Sequence, residues 1–227
     1  SFDPTSVPHF LNLAGNYDIV HFQVPNPSLM LASLLLPKSK KLFYTHRHGQ
    51  QRYPLSRRLV YQVAGLCIRR KFTAVSGNTD LAAKAAARLF RLDAQKVATT
   101  YNGINFDLLL PKRNREKVLE ELGDQQTAGV VRVGTTSNFT MLKRVDYILR
   151  AISKLKAESV ICYAIGDGPE RPSLQSLAEE LEIADRVCFP GIKKHIGDYL
   201  QLFDIFVFPS DQNESFGNSA VEAMGLG

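Results

Sequence analysis

Short β-rich apolar runs alternate along this chain with stretches whose apolar positions recur at helical spacing, and most runs end in a polar or glycine-bearing loop. In the first half, residues 17–22, 41–45, 71–75 and 97–100 predict strands, and 28–36, 55–67 and 78–89 predict helices. The helix at 55–67 rests on apolar residues at 55, 59, 60, 63, 66 and 67. A charged and polar stretch at 111–128 holds a short helix and reads as a linker. The pattern then restarts, with strands predicted at 130–133, 160–165, 187–189 and 205–209. Helices are expected at 146–155 and 174–181, a helical turn at 197–202, and a last helix opening near Gly217. Strand–helix alternation in both halves predicts an α/β fold of two units with mostly parallel sheets, at 1–110 and 129–227.

In open parallel sheets, ligands bind beyond the carboxyl ends of the strands. The loops His46-Arg47-His48, Asn102-Gly103, Ser137-Asn138, Gly166-Asp167-Gly168 and 210–217 all fall at such ends. They are expected to line one cleft where the substrates of an enzyme meet between two lobes.

Composition narrows the class. With 227 residues, 44% of them hydrophobic and 22% charged, the chain can build a proper core and is not a disordered segment. No apolar run is long enough to cross a membrane as a helix, and residues 1–10 lack the basic start and apolar core of a signal peptide. Cys67, Cys162 and Cys188 lie far apart, which suits buried thiols in a reducing compartment, so a cytoplasmic location is expected. Charge is uneven. Residues 1–110 hold 14 basic and 5 acidic side chains, a net +9, whereas 111–227 hold 14 and 17, a net −3. The basic half suits an anionic lipid surface or an acidic acceptor. Nucleic acid is not expected, because aromatic residues are thinly interleaved and no nucleic-acid motif is present.

The chemistry-bearing pattern with the most information is Glu214-Ser-Phe-Gly-Asn-Ser-Ala-Val-Glu222, two carboxylates eight residues apart after the strand IFVFPS. With a helix starting near Gly217, Glu222 lies roughly 7 Å along it and Glu214 in the loop before it. The N–H groups of Asn218, Ser219 and Ala220 would point outward between them, where a phosphate binds. One carboxylate could then accept sugar hydroxyls and the other a ribose. A plain strand–loop–helix with a capping acid and a solvated one accounts equally for the spacing. Lys143 and Arg144, before the helix at 146–155, place positive charge where a departing diphosphate would need it, or are two solvated bases. Gly166 and Gly168 permit close backbone approach to a ligand, as they would in an ordinary turn. His46 and His48 end a strand at the expected cleft. No DxD-like acidic pair and no clustered His/Cys/Asp set supports a metal site.

In their order, these segments resemble the retaining, metal-independent GT-B glycosyltransferases of the family-4 type. SNFTMLKRVDYILRA is similar to the family's basic segment, AIGDGPERPSLQSLAEELEIADRVCFPG to its GDGP-to-FxG region, and DIFVFPSDQNESFGNSAVEAMGLG to its Glu-x7-Glu signature. Softer matches are YDIVHFQVPNPS, FYTHRHG, AVSGNTD and YNGINFDLL. The resemblance implies two Rossmann-like domains facing across a cleft and a sugar transferred from a nucleotide-diphosphate donor with retention of configuration. It places Glu214 on the donor sugar with help from the Phe216 and Gly217 backbone, Glu222 on the ribose, and the Asn218, Ser219 and Ala220 amides on the diphosphate. Lys143 would neutralise the leaving phosphate, aided by Arg144, and His46 would stand near the transferred sugar. The segment from Phe189 through Gly191 and Ile192 to Lys193 would line the base pocket. The leaving phosphate itself would take the acceptor's proton, so neither a protein nucleophile nor a cofactor is expected.

Asn138 stands five residues before Lys143, where the family often has arginine; members resembling the N-acetylglucosaminyl-malate synthases share this. The resemblance also implies that the chain starts within the first domain and stops before the last strands and closing helices of the second. A non-catalytic remnant or partner subunit is the alternative, as is a basic membrane-surface module in which Arg57-Arg58 and Arg69-Arg70-Lys71 bracket an apolar helical stretch. The acceptor, whether glycan, lipid-linked sugar or small molecule, is not specified by these residues.

Overall fold

The computed structural model describes residues 6–49, 53–125, 129–155, 159–211 and 214–227. By internal contacts the chain divides into two compact units, the first holding residues 1–102 with a short segment, Gln212–Phe216, and the second holding the remainder.

In the first unit, helix α1 (Ser6–Gly15) precedes β1 (Ile19–Phe22), α2 (Pro27–Ala32), β2 (Lys41–His46), α3 (Leu55–Lys71), β3 (Phe72–Gly77), α4 (Asp80–Phe90) and β4 (Val97–Thr99). The four strands form a parallel sheet in the order β1-β2-β3-β4. Side-chain caps set where the helices begin: the Leu29 amide donates to Asn26 Oδ1 at 3.2 Å, and the Ala82 amide to Thr79 Oγ1 at 3.1 Å. Small residues let α4 lie close, with Ala82, Ala83, Ala86, Ala87 and Phe90 all buried. Tyr44, Tyr61, Ile68 and Val75 complete this core with Phe22 and Met30.

The second unit contains α5 (Arg115–Glu121), β5 (Val131–Thr136), α6 (Val145–Lys154), β6 (Val160–Ile165), α7 (Arg171–Glu180), β7 (Val187–Gly191), α8 (Gly197–Leu200), β8 (Ile205–Phe206) and α9 (Asn218–Met224). Its sheet is parallel in the order β7-β6-β5-β8. One face packs Val145, Ile148, Leu149 and Ile152 of α6 and Leu174 and Ala178 of α7 against Val133, Cys162 and Ala164. The other face packs Val118, Tyr199 and Leu202 against Tyr163 and Ile165. Burial pushes the Cys162 thiol up to about 12, so it is inert at neutral pH.

Several bounds differ from the sequence reading, among them the strand expected at 205–209, which spans Ile205–Phe206. The helix α1 stands where no element was expected; its Phe10, Leu11 and Ala14 pack against Leu36 and Leu42. The division between units falls after Asn102, and 103–125 builds into the second unit instead of linking two lobes. The cause is Asp198, a buried carboxylate that accepts the Lys112 amide at 2.6 Å, the Arg113 amide at 3.1 Å and Arg113 Nε at 3.0 Å. The polar composition reads as a linker, whereas its donors satisfy a buried acid. Residues 126–128 of the expected linker lie outside the described residues, as do 212 and 213 of the expected loop at 210–217.

Candidate functional site

Of the predicted residues, His46, Glu214 and Phe216 belong to the first unit and the others to the second. In the second unit, the loops after β5, β6 and β7 are tied together at the carboxyl ends of the strands. The Ser137 amide donates to the Ile165 carbonyl at 3.0 Å, the Phe139 amide to Asp167 O at 2.9 Å, and the Glu170 amide to Phe139 O at 3.0 Å. Gly166 joins the third loop, its amide donating to Gly191 O at 3.0 Å.

The two glycines of the GDG turn have a structural reason beyond any ligand. Gly166 sits at φ +132°, and a Cβ there would lie 1.8 Å from the Ser137 carbonyl oxygen; at Gly168 it would lie 2.5 Å from that of Phe139. They let the post-β5 and post-β6 loops interlock.

Arg171, which sequence reasoning passed over, holds the same corner. Its guanidinium donates to Asp167 Oδ2 at 3.1 Å and to the Phe189 carbonyl at 2.9 Å, joining the GDG loop to the segment 189–192. Its place within GDGPER, one turn after Asp167, was the available signal. Phe189 packs edge-on against the buried Phe139 at 6.1 Å, whereas Ile192 is 79% exposed and free of the core.

Lys143 ends a single 3-10 turn, Met141–Lys143, its amide on the Thr140 carbonyl at 2.9 Å and its ammonium 5.7 Å from the centre of the Phe208 ring. Leu142 accepts the Asp211 amide at 2.8 Å, which fastens this turn to the loop after β8. Arg144 differs from the expected pair of cooperating cations. Held at φ +48°, it donates twice to Asp146, each bond 3.1 Å, and stacks 3.6 Å over the Tyr147 ring. Its charge is matched by Asp146. Asn138 is exposed, and its carbonyl accepts the Thr140 amide at 2.7 Å.

The helix α9 starts directly after the buried Gly217, as the spacing predicted. One detail is corrected. The Ala220 amide donates to the Gly217 carbonyl at 3.0 Å, closing the first turn, so it is not among the outward N–H groups; those of Asn218 and Ser219 precede it. Glu222 is half-buried on this helix, and its burial raises the carboxyl above the usual range. Thr136, Ser137 and Ser210 carry buried hydroxyls without a partner, at the ends of β5 and after β8. A groove of about 380 Å³ lies elsewhere, between β8 and α9, lined by Phe203, Phe206, Phe208, Ala223 and Met224; Ala220 is the only predicted site residue in its described lining.

In the first unit, His46 is 2% exposed, with Nδ1 2.6 Å from the Tyr44 hydroxyl and its ring 5.7 Å edge-on from His48. Burial, and then His48, lower its pKa to about 4. At neutral pH the ring is therefore uncharged, with one nitrogen a donor and the other an acceptor. Beside it, the Asn78 amide donates to the His46 carbonyl at 3.0 Å, and its Nδ2 donates to Ser215 Oγ at 3.0 Å. Ser215 in turn donates to the Arg47 carbonyl at 3.0 Å, which secures the residue next to Glu214. Asn78 and Ser215 were not singled out from the sequence; a buried asparagine after a strand was the missed signal. Among the described residues, no group of three or more His, Cys, Asp or Glu side chains could hold a metal ion.

Residues 130–227 match the family described as Glycosyl transferases group 1. N-acetyl-alpha-D-glucosaminyl L-malate synthase of Bacillus anthracis is 31% identical over 132 residues, 58% of this chain and 34% of that protein. D-inositol 3-phosphate glycosyltransferase 2 of Catenulispora acidiphila is 33% identical over 164 residues, 66% and 37% of the two chains. This chain therefore spans about a third of the length of these curated relatives. The structure of Anabaena Alr3699/HepE in complex with UDP superposes with a TM-score of 0.80 over 97% of this chain and 60% of that one, at 21% identity, a likeness of fold. Over residues 130–227 the chain matches the glycosyl transferases group 1 family, and its α/β units have the fold of the GT-B glycosyltransferases.

Proposed function

We propose that this chain is part of a cytoplasmic glycosyltransferase that moves a sugar from a nucleotide-diphosphate donor to an acceptor, with retention of configuration and without a metal. The observation that carries the reading is the interlocked set of loops at the carboxyl ends of β5, β6 and β7, flanked by Lys143 and a half-buried Glu222, within the family-matched region. Fixed dipoles and one cation at strand ends suit a ligand that develops negative charge as a glycosidic bond breaks.

In this reading, Glu222 accepts hydrogen bonds from the ribose hydroxyls. Its raised pKa reflects a place where a carboxylate lacks full hydration and gains from such donors. The Asn218 and Ser219 amides face the diphosphate, and Lys143 neutralises the leaving phosphate. Glu214, beside the anchored Ser215, holds the donor sugar's hydroxyls with the Phe216 and Gly217 backbone. His46 stays neutral and donates from Nε2 to a sugar oxygen. The segment 189–192, held by Arg171, lines the base. The leaving phosphate oxygen accepts the acceptor's proton as the new bond forms on the same face. UDP-sugars are the first donors to try, since the Anabaena protein was solved with UDP and with UDP-glucose.

The test is a thermal melt of this chain with UDP-, GDP- and ADP-sugars and the free nucleotides. At about 100 times the dissociation constant, a bound donor adds roughly 2.7 kcal/mol. Lys143→Ala should lower the response to every nucleotide diphosphate, and Glu222→Ala should lower it for nucleotides but not for inorganic diphosphate. A cooperative melt that no nucleotide shifts would favour the non-catalytic alternative.

A further inference from the structure

A helix packed on a sheet ordinarily turns an apolar face inward and a charged face to water. The helix α3 does the first and not the second. Tyr61, Ala64, Cys67 and Ile68 are buried on its inner side. On the opposite side, Leu55, Leu59, Val63 and Leu66 are 71, 55, 50 and 47% exposed. Their spacings of four, four and three residues place them in one stripe.

The charges around that stripe have a single sign. The 17 residues of α3 include no acid, while Arg57 and Arg58 stand at its first turns and Arg69, Arg70 and Lys71 at its last. Two of these have local tasks, Arg69 donating to the Arg91 carbonyl and Lys71 to that of Leu36. The Lys71 bond also joins the helix end to the 3-10 turn Ser33–Leu35, whose Leu34 and Leu35 are exposed at 47 and 74%. An apolar stripe rimmed only by cations matches a surface that is apolar within and anionic at its rim.

We propose that the outer face of α3 lies on the surface of a membrane containing acidic lipid, with Leu55, Leu59, Val63 and Leu66 in the acyl boundary and Arg58 and Arg70 among the headgroups. This contact is peripheral, and it does not depend on the donor reading.

The experiment is co-sedimentation of the whole chain with phosphatidylcholine vesicles, with and without phosphatidylserine. Binding should require phosphatidylserine and weaken as added salt shortens the screening length from about 10 Å to about 3 Å. Arg58→Gln and Arg70→Gln should each lower partitioning about fivefold. Leu59→Gln combined with Leu66→Gln should abolish it while leaving the melting temperature close to that of the parent, because both side chains are half-exposed. Equal binding to neutral vesicles, or leucine variants that bind as the parent does, would overturn the proposal. So would a concentration-dependent dimer that the leucine variants dissolve in the absence of vesicle binding, which would give the face to a second copy.

Discussion

His46 has its ring enclosed at the end of β2, one nitrogen on the Tyr44 hydroxyl, and its pKa near 4 against an ordinary 6.5. Between those values the unfolded chain binds a proton that the folded chain refuses. Stability therefore falls as pH drops through the window from about 6.5 to about 4, by about 3 kcal/mol in full. Urea unfolding at pH 7 and pH 4.5 should show that part of the loss vanish in His46→Phe, and the parent's His46 ring resonance should not titrate above about pH 5. Gly166 is the second residue whose environment decides its identity. Gly166→Ala forces an L side chain into φ +132° with its Cβ against the Ser137 oxygen. The second unit should lose about 3 kcal/mol or more, read by urea unfolding. A loss under about 1 kcal/mol would mean that the post-β5 loop yields readily.

Among elements, α5 and the strand of chain before it show how an apparent linker becomes structure. Asp198 gathers Lys112 and Arg113, while Glu121 on α5 pairs with Lys193 at 2.6 Å and with Arg113 at 2.5 Å. Lys193 first, and then Arg113, hold the Glu121 carboxyl down to about 2. For Asp198, burial alone would raise the carboxyl, but the Lys112 and Arg113 donors outweigh it and keep it below its usual value. Both groups have depressed values, so the stability they contribute is present above the ordinary carboxylate range and is lost as pH falls toward 2. Asp198→Ala leaves two amides and a guanidinium without their acceptor and should cost about 2–3 kcal/mol at pH 7. Hydrogen exchange across 106–121 should rise in that variant; unchanged protection there would remove Asp198 as the anchor of this segment.

At the scale of the whole chain, each unit has its own parallel sheet and its own core. The residues assigned to base, ribose and diphosphate all belong to the second unit. Hydrogen exchange with a bound nucleoside diphosphate should accordingly slow in 137–144, 166–171, 189–192 and the first turn of α9. Slowing confined to the first unit would contradict the assignment.

Strand–helix alternation was legible in the sequence because it is a local property: period-two and period-3.6 patterns are written in neighbouring residues. The start of α9 after Gly217 was legible for the same reason, since neighbouring residues set where a helix opens. What only the tertiary structure decided concerns pairs distant in sequence. Arg171 reaches Phe189, Asn78 reaches Ser215, and Asp198 captures 112–113, each across a separation that no periodicity records. Residues 55–67 announced a helix, but only packing showed which of its two apolar faces the core would bury and which it would leave exposed. Patterning specifies that a face is apolar; the neighbours brought by the fold determine what covers it.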